Sequence, residues 1–237
     1  MSLITAAIMQ PTYLPWLGYM ALMDRVDVFV YLDSVQFDKR SWQQRNRIKT
    51  ANGMQWLTVP VKSKGKREQR INEVELDAAS GFARKHVTAM TLAYKKAPRA
   101  TDLAEALFPV YERGQSRLLD LNVDTLESLR GLLGIDTPLK LSSEMAATGT
   151  KADLLAGLCS ELGVERYVSP PGSRDYLEAS DAFSRAGIEV AYHEYDHPEY
   201  PQLHGVFEPY LSVVDLLANV ESGEALDLIR AGVGQPS

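Results

Sequence analysis

Two short apolar runs, "LITAAIM" at 3–9 and "DVFVYLD" at 27–33, flank a stretch, "GYMALMDRV", with room for two or three helical turns. The runs are rich in Ile, Val, Ala and aromatic side chains, as strands buried on both faces are. A strand, a helix and a strand in so short a span favour one geometry, parallel strands with the helix crossing one face. The alternation resumes later in the chain. "PLKLSSEM" is strand-like, and "KADLLAGLCSELG" carries Leu154, Leu155, Leu158 and Leu162 on one stripe between a Thr150 N-cap and a Gly163 C-cap. "ERYVSPPGS" reads as a strand entering a loop, "RDYLEASDAFSRAG" as a helix, "IEVAYHEYD" as a strand, and "YLSVVDLLANV" as a closing helix.

The middle of the chain interrupts this pattern. In "RNRIKTANGMQWLTVPV", Asn52-Gly53 lies between two strand-like runs and predicts a β-hairpin with a type I′ turn. "KSKGKREQ" reads as an exposed loop and "INEVELD" as another strand. From Gly81 to about Leu133 the sequence is helical, with breaks near Pro98 and Gly114. The expectation is one domain over 1–237: an α/β fold with a mostly parallel sheet, an antiparallel hairpin and a helical insertion at about 80–134. Ligands of such sheets bind beyond the carboxyl ends of the strands. That rim collects the loops at 10–18, 33–47, 169–175 and 196–205.

Charge narrows the function. The net charge is −6, yet Asp38 to Arg70 holds ten Lys/Arg against two acids, which places one basic patch on an acidic body. No apolar run approaches the ~20 residues a bilayer crossing needs, so membrane insertion is not expected. The first ten residues lack the basic n-region of a secretory signal, and Cys159 is the only cysteine, so a cytoplasmic address is expected.

Within the patch, "DKRSWQQRNRIK" interleaves Lys39, Arg40, Arg45, Arg47 and Lys49 with Trp42, Gln43, Gln44 and Asn46. Guanidinium groups grip phosphate, carboxamides read sugar hydroxyls or base edges, and an indole stacks on a ring. The set suits a phosphorylated sugar or nucleotide-type small molecule, or the end of an RNA; the alternative is a solvated face of the hairpin. "SPPGSRDY" brings Ser173 and Arg174 to a helix start on the same rim, as an anion site or a plain capped turn. "HEYDH" at 193–197 spells the zinc-protease pattern, but it follows a strand and His197 precedes Pro198, which disfavours the helix that chemistry requires. No cofactor fingerprint is present. Cys159, among leucines, reads as a buried small hydrophobe, and Ser212 and Asp215 read as structural hydrogen-bonding groups.

Three segments, "QPTYLPWLGY", "DVFVYLDSVQFDKRSWQQRNRIKTANGMQWLTVPV" and "HPEYPQLHGVFEPYLSVVDLLANV", resemble the WbqC-like protein family over nearly the whole chain. The resemblance implies a transferase of surface-polysaccharide or related sugar biosynthesis that acylates or aminoacylates a phosphorylated sugar-type substrate. The alternatives are a non-catalytic nucleotide-sugar-binding or scaffold protein of such a pathway, and an RNA-dependent aminoacyl transferase. It further implies that His197, Tyr200, Gln202 and His204 line the site. The loop after the first strand is similar in placement to that of the HxGH nucleotidyltransferases, with Gly18 kept, so a nucleotidyltransferase-like sheet is one expectation for the fold. Trp16 and Tyr19 stand where the two imidazoles would be, which argues against adenylyl transfer. On this reading Trp16, Gly18 and Tyr19 form the site wall and Gln10 and Tyr13 face the ligand. His204 is the general base, because imidazole titrates nearest neutrality. Gln10 and Tyr13 join His204 as catalytic candidates. Arg40 and Arg45 neutralise phosphate, Trp42 stacks, and Gln43 and Asn46 add polar contacts.

Overall fold

The computed structural model describes residues 3–234. Strand β1 (Thr5–Met9), helix α1 (Leu17–Asp24) and strand β2 (Val28–Tyr31) form the expected parallel unit, with Ala6 opposite Val28 and Met9 opposite Tyr31. Strands β3 (Arg45–Thr50) and β4 (Gly53–Thr58) make the antiparallel hairpin. Helices α2 (Phe82–Tyr94), α3 (Ala100–Glu112) and α4 (Leu118–Leu133) follow, and then β5 (Leu139–Leu141), α5 (Lys151–Glu161), β6 (Arg166–Ser169), α6 (Arg174–Glu178), α7 (Ala182–Arg185) and β7 (Glu189–Tyr192). Helices α8 (Val213–Asn219) and α9 (Ser222–Ala231) close the described chain.

The five-stranded sheet runs β5-β2-β1-β6-β7 with every pairing parallel. Its two faces bury different partners, as side-chain alternation along a strand demands. Ala7, Phe29 and Tyr31 join the core that takes in α1, the helices α2 to α4, and α8. Ala6, Ile8, Val30 and Tyr167 pack against Leu155, Leu158 and Cys159 of α5 and Phe183 of α7. Burial raises the Cys159 thiol to about 12, well out of reach of thiolate chemistry. Ile48 and Leu57 carry the hairpin into the first core, so it packs on the body. No helix among the described residues is long and apolar enough to cross a membrane.

Four local expectations need correction. The hairpin turn is not type I′: Ala51-Asn52 make the corner between the paired Thr50 and Gly53, and neither has the positive φ that type requires, which falls on Gly53 (+97°) instead. "INEVELD" is a 3₁₀ turn at Ile71–Glu73 and then irregular chain, because Ile71 and Asn72 donate their N–H groups to Val35 and Asp33 of a loop and not to a strand. "RDYLEASDAFSRAG" breaks into α6 and α7 where the Ser180 hydroxyl accepts from the Ala182 N–H, a local bond that competes with the helix ladder. The closing helix is followed by another, α9, which buries Ala225 and Ile229. Thr150 does sit at the N-cap of α5, but its side chain makes no capping bond there.

Candidate functional site

Strand β1 has β2 on one side and β6 on the other, so the connections leaving the carboxyl ends of β1 and β6 part and open a crevice between them. The loop after β1 is held from several directions. The Tyr13 N–H donates to the Trp42 carbonyl (3.0 Å), the Asn46 side-chain amide donates to the Leu14 carbonyl (2.6 Å), and the Val213 N–H donates to the Pro15 carbonyl (2.7 Å). Leu14 is thereby kept at φ +46°, unusual for a branched residue. Pinned this way, the charge-free loop presents a fixed wall.

The crevice has two lobes. One, of about 350 Å³, is bordered by Gln10, Thr12, Ser41, Gln43, Ser173 and Tyr176 above apolar side chains of β1 and α5. The other, of about 420 Å³, is bordered by Trp16, Tyr19, Arg47 and Tyr210. Met9, Thr12 and Trp42 line both. Gln43 is 2% exposed and oriented at both ends: its carbonyl oxygen accepts from the Asp38 N–H (3.1 Å) and its amide donates to the Gln10 side-chain oxygen (2.8 Å). Gln10 is itself exposed, and with its oxygen engaged it has its amide N–H groups to offer a ligand. The Tyr19 hydroxyl donates to the Gln10 carbonyl (3.2 Å), and burial raises it well above the usual phenol range.

The hairpin supplies the cationic wall. Arg45 lies over the Trp56 ring at 4.4 Å, Arg47 lies 5.5 Å from Trp56 and 5.8 Å from Trp42, and the two indoles are 5.5 Å apart. Trp42 and Trp56 are each nearly half exposed (48% and 44%), a large apolar expenditure for a surface and typical of a stacking platform. Arg47 is steadied by donating to the Tyr210 carbonyl (3.0 Å).

Of the residues singled out in the sequence, Gln10, Trp16, Tyr19, Trp42, Gln43 and Ser173 border this cleft. Gly18 lies beneath the Trp16 ring and leaves it room. Arg40 is an exposed residue of the 38–44 loop at φ +66°, and Asn46 is buried as the clamp on Leu14. Tyr13 does not face the cleft. Its side chain is fully buried, with the hydroxyl between His86 Nδ1 (2.7 Å) and the Tyr111 hydroxyl (2.6 Å), so it belongs to the seam with the helical block. Arg174 turns to Glu194 (3.1 Å) and to the Tyr192 ring.

The 197–204 segment gathers elsewhere. Tyr200 and Tyr94 donate to the two oxygens of Asp215 (3.1 and 3.0 Å), while Gln202 accepts from the buried Lys49 ammonium (3.0 Å). Burial raises Asp215 to about 6 against the pull of these donors and of Lys49. His197 sits among Tyr195, Tyr200, Phe207 and Tyr210, and its pKa is lowered by burial. His204 is an exposed residue at φ +67° whose Nε2 lies 2.8 Å from the Ala93 carbonyl, outside the cleft lining. The "HEYDH" stretch is extended chain after β7, with His193 Nε2 on the Gly18 carbonyl (3.1 Å).

Thr12, Ser41, Arg47, Tyr176 and Tyr210 also line the cleft. Arg47 had a signal, its place in the basic loop. Tyr210 had none, because only tertiary folding brings α8's approach beside β3. The lining offers amides, hydroxyls, rings and one guanidinium; among its described residues there is no carboxylate, imidazole or thiol to hold a metal or serve as a strong base.

The model of the WbqC-like protein family matches residues 10–226, which take in the cleft, the hairpin and the 197–204 segment. The chain belongs to the WbqC-like family. An uncharacterized protein of Mycobacterium tuberculosis, Rv1507c, is 39% identical over 226 residues, covering 94% of this chain and 96% of that protein. No solved structure matches. The WbqC-like match begins at Gln10, the first cleft residue of the loop after β1, and ends within α9.

Proposed function

We propose that this WbqC-like protein is a transferase of surface-polysaccharide or related sugar biosynthesis, which holds a phosphorylated sugar-type substrate in the Trp42 cleft and acylates or aminoacylates it. The observation that carries this reading is the mixture on the lining. The carboxamides of Gln10 and Gln43 and the hydroxyls of Thr12, Ser41 and Ser173 match sugar hydroxyls, the indole of Trp42 matches a sugar or base face, and Arg47 matches a phosphate. Arg45 adds charge at the rim. With no strong base on the lining, the acyl donor has to be activated already, as an ester or thioester is. The protein's contribution is then to hold two reactants in register, which supplies up to ~7–11 kcal/mol of a barrier.

The same lack of a base favours a second reading, a non-catalytic binding protein for the same ligand. Thermal unfolding of the wild type and Arg47→Gln with sugar phosphates, nucleotide sugars, coenzyme A and a short RNA, paired with an acyl-transfer assay, separates these. A ligand at 100 times its Kd stabilises by about 2.7 kcal/mol. A sugar phosphate or nucleotide sugar is expected to raise Tm in the wild type and much less in Arg47→Gln, with transfer of acyl label. A shift without transfer selects the binding protein. A shift with RNA alone, steeply weakened by salt, overturns both.

A further inference from the structure

Resting on the transferase reading, we infer that the cleft binds two ligands at once, one on each side of Trp42. The sugar ring occupies the lobe at β1 and β6 with its phosphate directed across the shared edge to Arg47, and a flat-ringed, anionic second substrate, such as the nucleotide end of an acyl donor, occupies the lobe beside Arg47, so that one guanidinium faces the anionic groups of both.

The lobes differ in what they recognise. The first has side-chain amides and hydroxyls and no charged residue on its lining, as suits a neutral polyol. The second has Trp16, Tyr19, Trp42 and Tyr210 around a single cation, Arg47, which suits a planar ring carrying a phosphate or carboxylate. At about 350 and 420 Å³ each is of the size that takes one small-molecule moiety. They communicate where Met9, Thr12 and Trp42 line both, which is where reacting atoms from the two sides meet.

Simultaneous occupancy also follows from the chemistry on the walls. An acyl group carried first on the protein needs an activated nucleophile. The serine and threonine hydroxyls lack an activating partner: Ser41 donates to the Asp38 carbonyl (2.6 Å), Thr12 donates to the Gln10 carbonyl (3.3 Å), and among the described residues no carboxylate, imidazole or amine lines the lobe beside them or beside Ser173. Transfer is therefore direct. The lone pair of the acceptor's amine or hydroxyl forms the bond to the acyl carbon, the bond from that carbon to the donor's ester oxygen or thioester sulfur breaks, and the acceptor's proton passes through solvent to the leaving atom. Both substrates must be present for that step.

Calorimetric titration with two probes tests this, a neutral methyl glycoside for the first lobe and a nucleoside monophosphate for the second. Each is expected to bind with a Kd changed less than threefold by saturation with the other. Gln10→Ala is expected to weaken the glycoside at least fivefold and leave the nucleotide unchanged. Arg47→Gln is expected to do the reverse, and Trp42→Ala to weaken both. Tyr176→Ala, on a half-exposed ring of the first lobe, repeats the Gln10→Ala result at a second position, and melting curves confirm that each variant is folded. Mutual competition of the probes, binding of only one of them, or loss of the same probe in Gln10→Ala and Arg47→Gln overturns the two-lobe assignment and leaves the transferase reading standing. Binding of neither probe overturns both.

Discussion

Gly18 shows how one missing side chain shapes the cleft. A Cβ at that position would lie about 2.5–2.7 Å from Cζ2 and Cζ3 of the Trp16 indole, closer than carbon atoms pack. The ring folds back over the start of α1 because the space is empty, and it then meets Tyr195 and Tyr210 at 5.4 and 5.9 Å. Gly18→Ala is expected to push the indole into the second lobe, at a cost of about 1–3 kcal/mol in stability, with a shifted tryptophan emission and weakened binding there. Gly223→Ala, in α9 with open space around it, is the matched control and should be neutral or slightly stabilising. Equal losses in the two would mean that the close packing at Gly18 decides nothing. The sequence singled out this charge-free, proline-bearing segment after a buried strand, and Gln10, Thr12, Trp16 and Tyr19 from it line the cleft. It did not separate Trp16 and Tyr19, which border the cleft, from Tyr13, which faces the helices. An irregular loop has no period from which side-chain direction can be read.

The β3–β4 hairpin was legible because its signal is local: two β-rich runs and a turn. Its attachments were not. The Ser212 N–H donates to the Arg47 carbonyl (3.0 Å), and Lys49 reaches Gln202 and the Val206 carbonyl, partners more than 150 residues away. The same reason explains the misread 71–77 segment and the missed α9, whose apolar stripe makes sense only against distant elements. Clamped along β3, the hairpin should tolerate damage to its tip. Gly53 has φ +97°, and nothing lies within 4 Å of the place a Cβ would take, so Gly53→Ala introduces backbone strain alone. A loss of about 1–2 kcal/mol is expected in urea unfolding, with the ligand affinity of the cleft unchanged, because Trp42 precedes the hairpin and Arg47 is held by the Tyr210 carbonyl. A large fall in affinity would show that the tip and the cleft move together.

Buried ionisable groups of opposite sign shape the molecule's response to acid; the sequence marked Asp215 as a structural hydrogen-bonding group, but the burial of each depends on packing between remote segments and was not legible there. Burial lowers His86, at the Tyr13 seam, to about 4, and burial together with the charge of Arg25 lowers His193 to about 4. Between their unfolded pKa near 6.5 and that value the unfolded chain binds more protons, so both histidines withdraw stability as pH falls through this window. Asp215, raised to about 6 by burial, does the opposite. Between 6 and its unfolded value near 4 the folded state binds the extra proton, so acidification adds stability there. The wild type therefore carries an internal offset to its own acid lability. Asp215→Asn removes it, with one of the Tyr94 and Tyr200 hydroxyls turned to accept from the new amide. Urea unfolding at pH 7 and pH 4.5 is expected to show the variant losing stability more steeply than the wild type, the gap between them changing by about 2 kcal/mol in the wild type's favour. Parallel losses would mean that Asp215 titrates in the fold as it does in the unfolded chain, and that Lys49 with the two tyrosines fully compensates its burial.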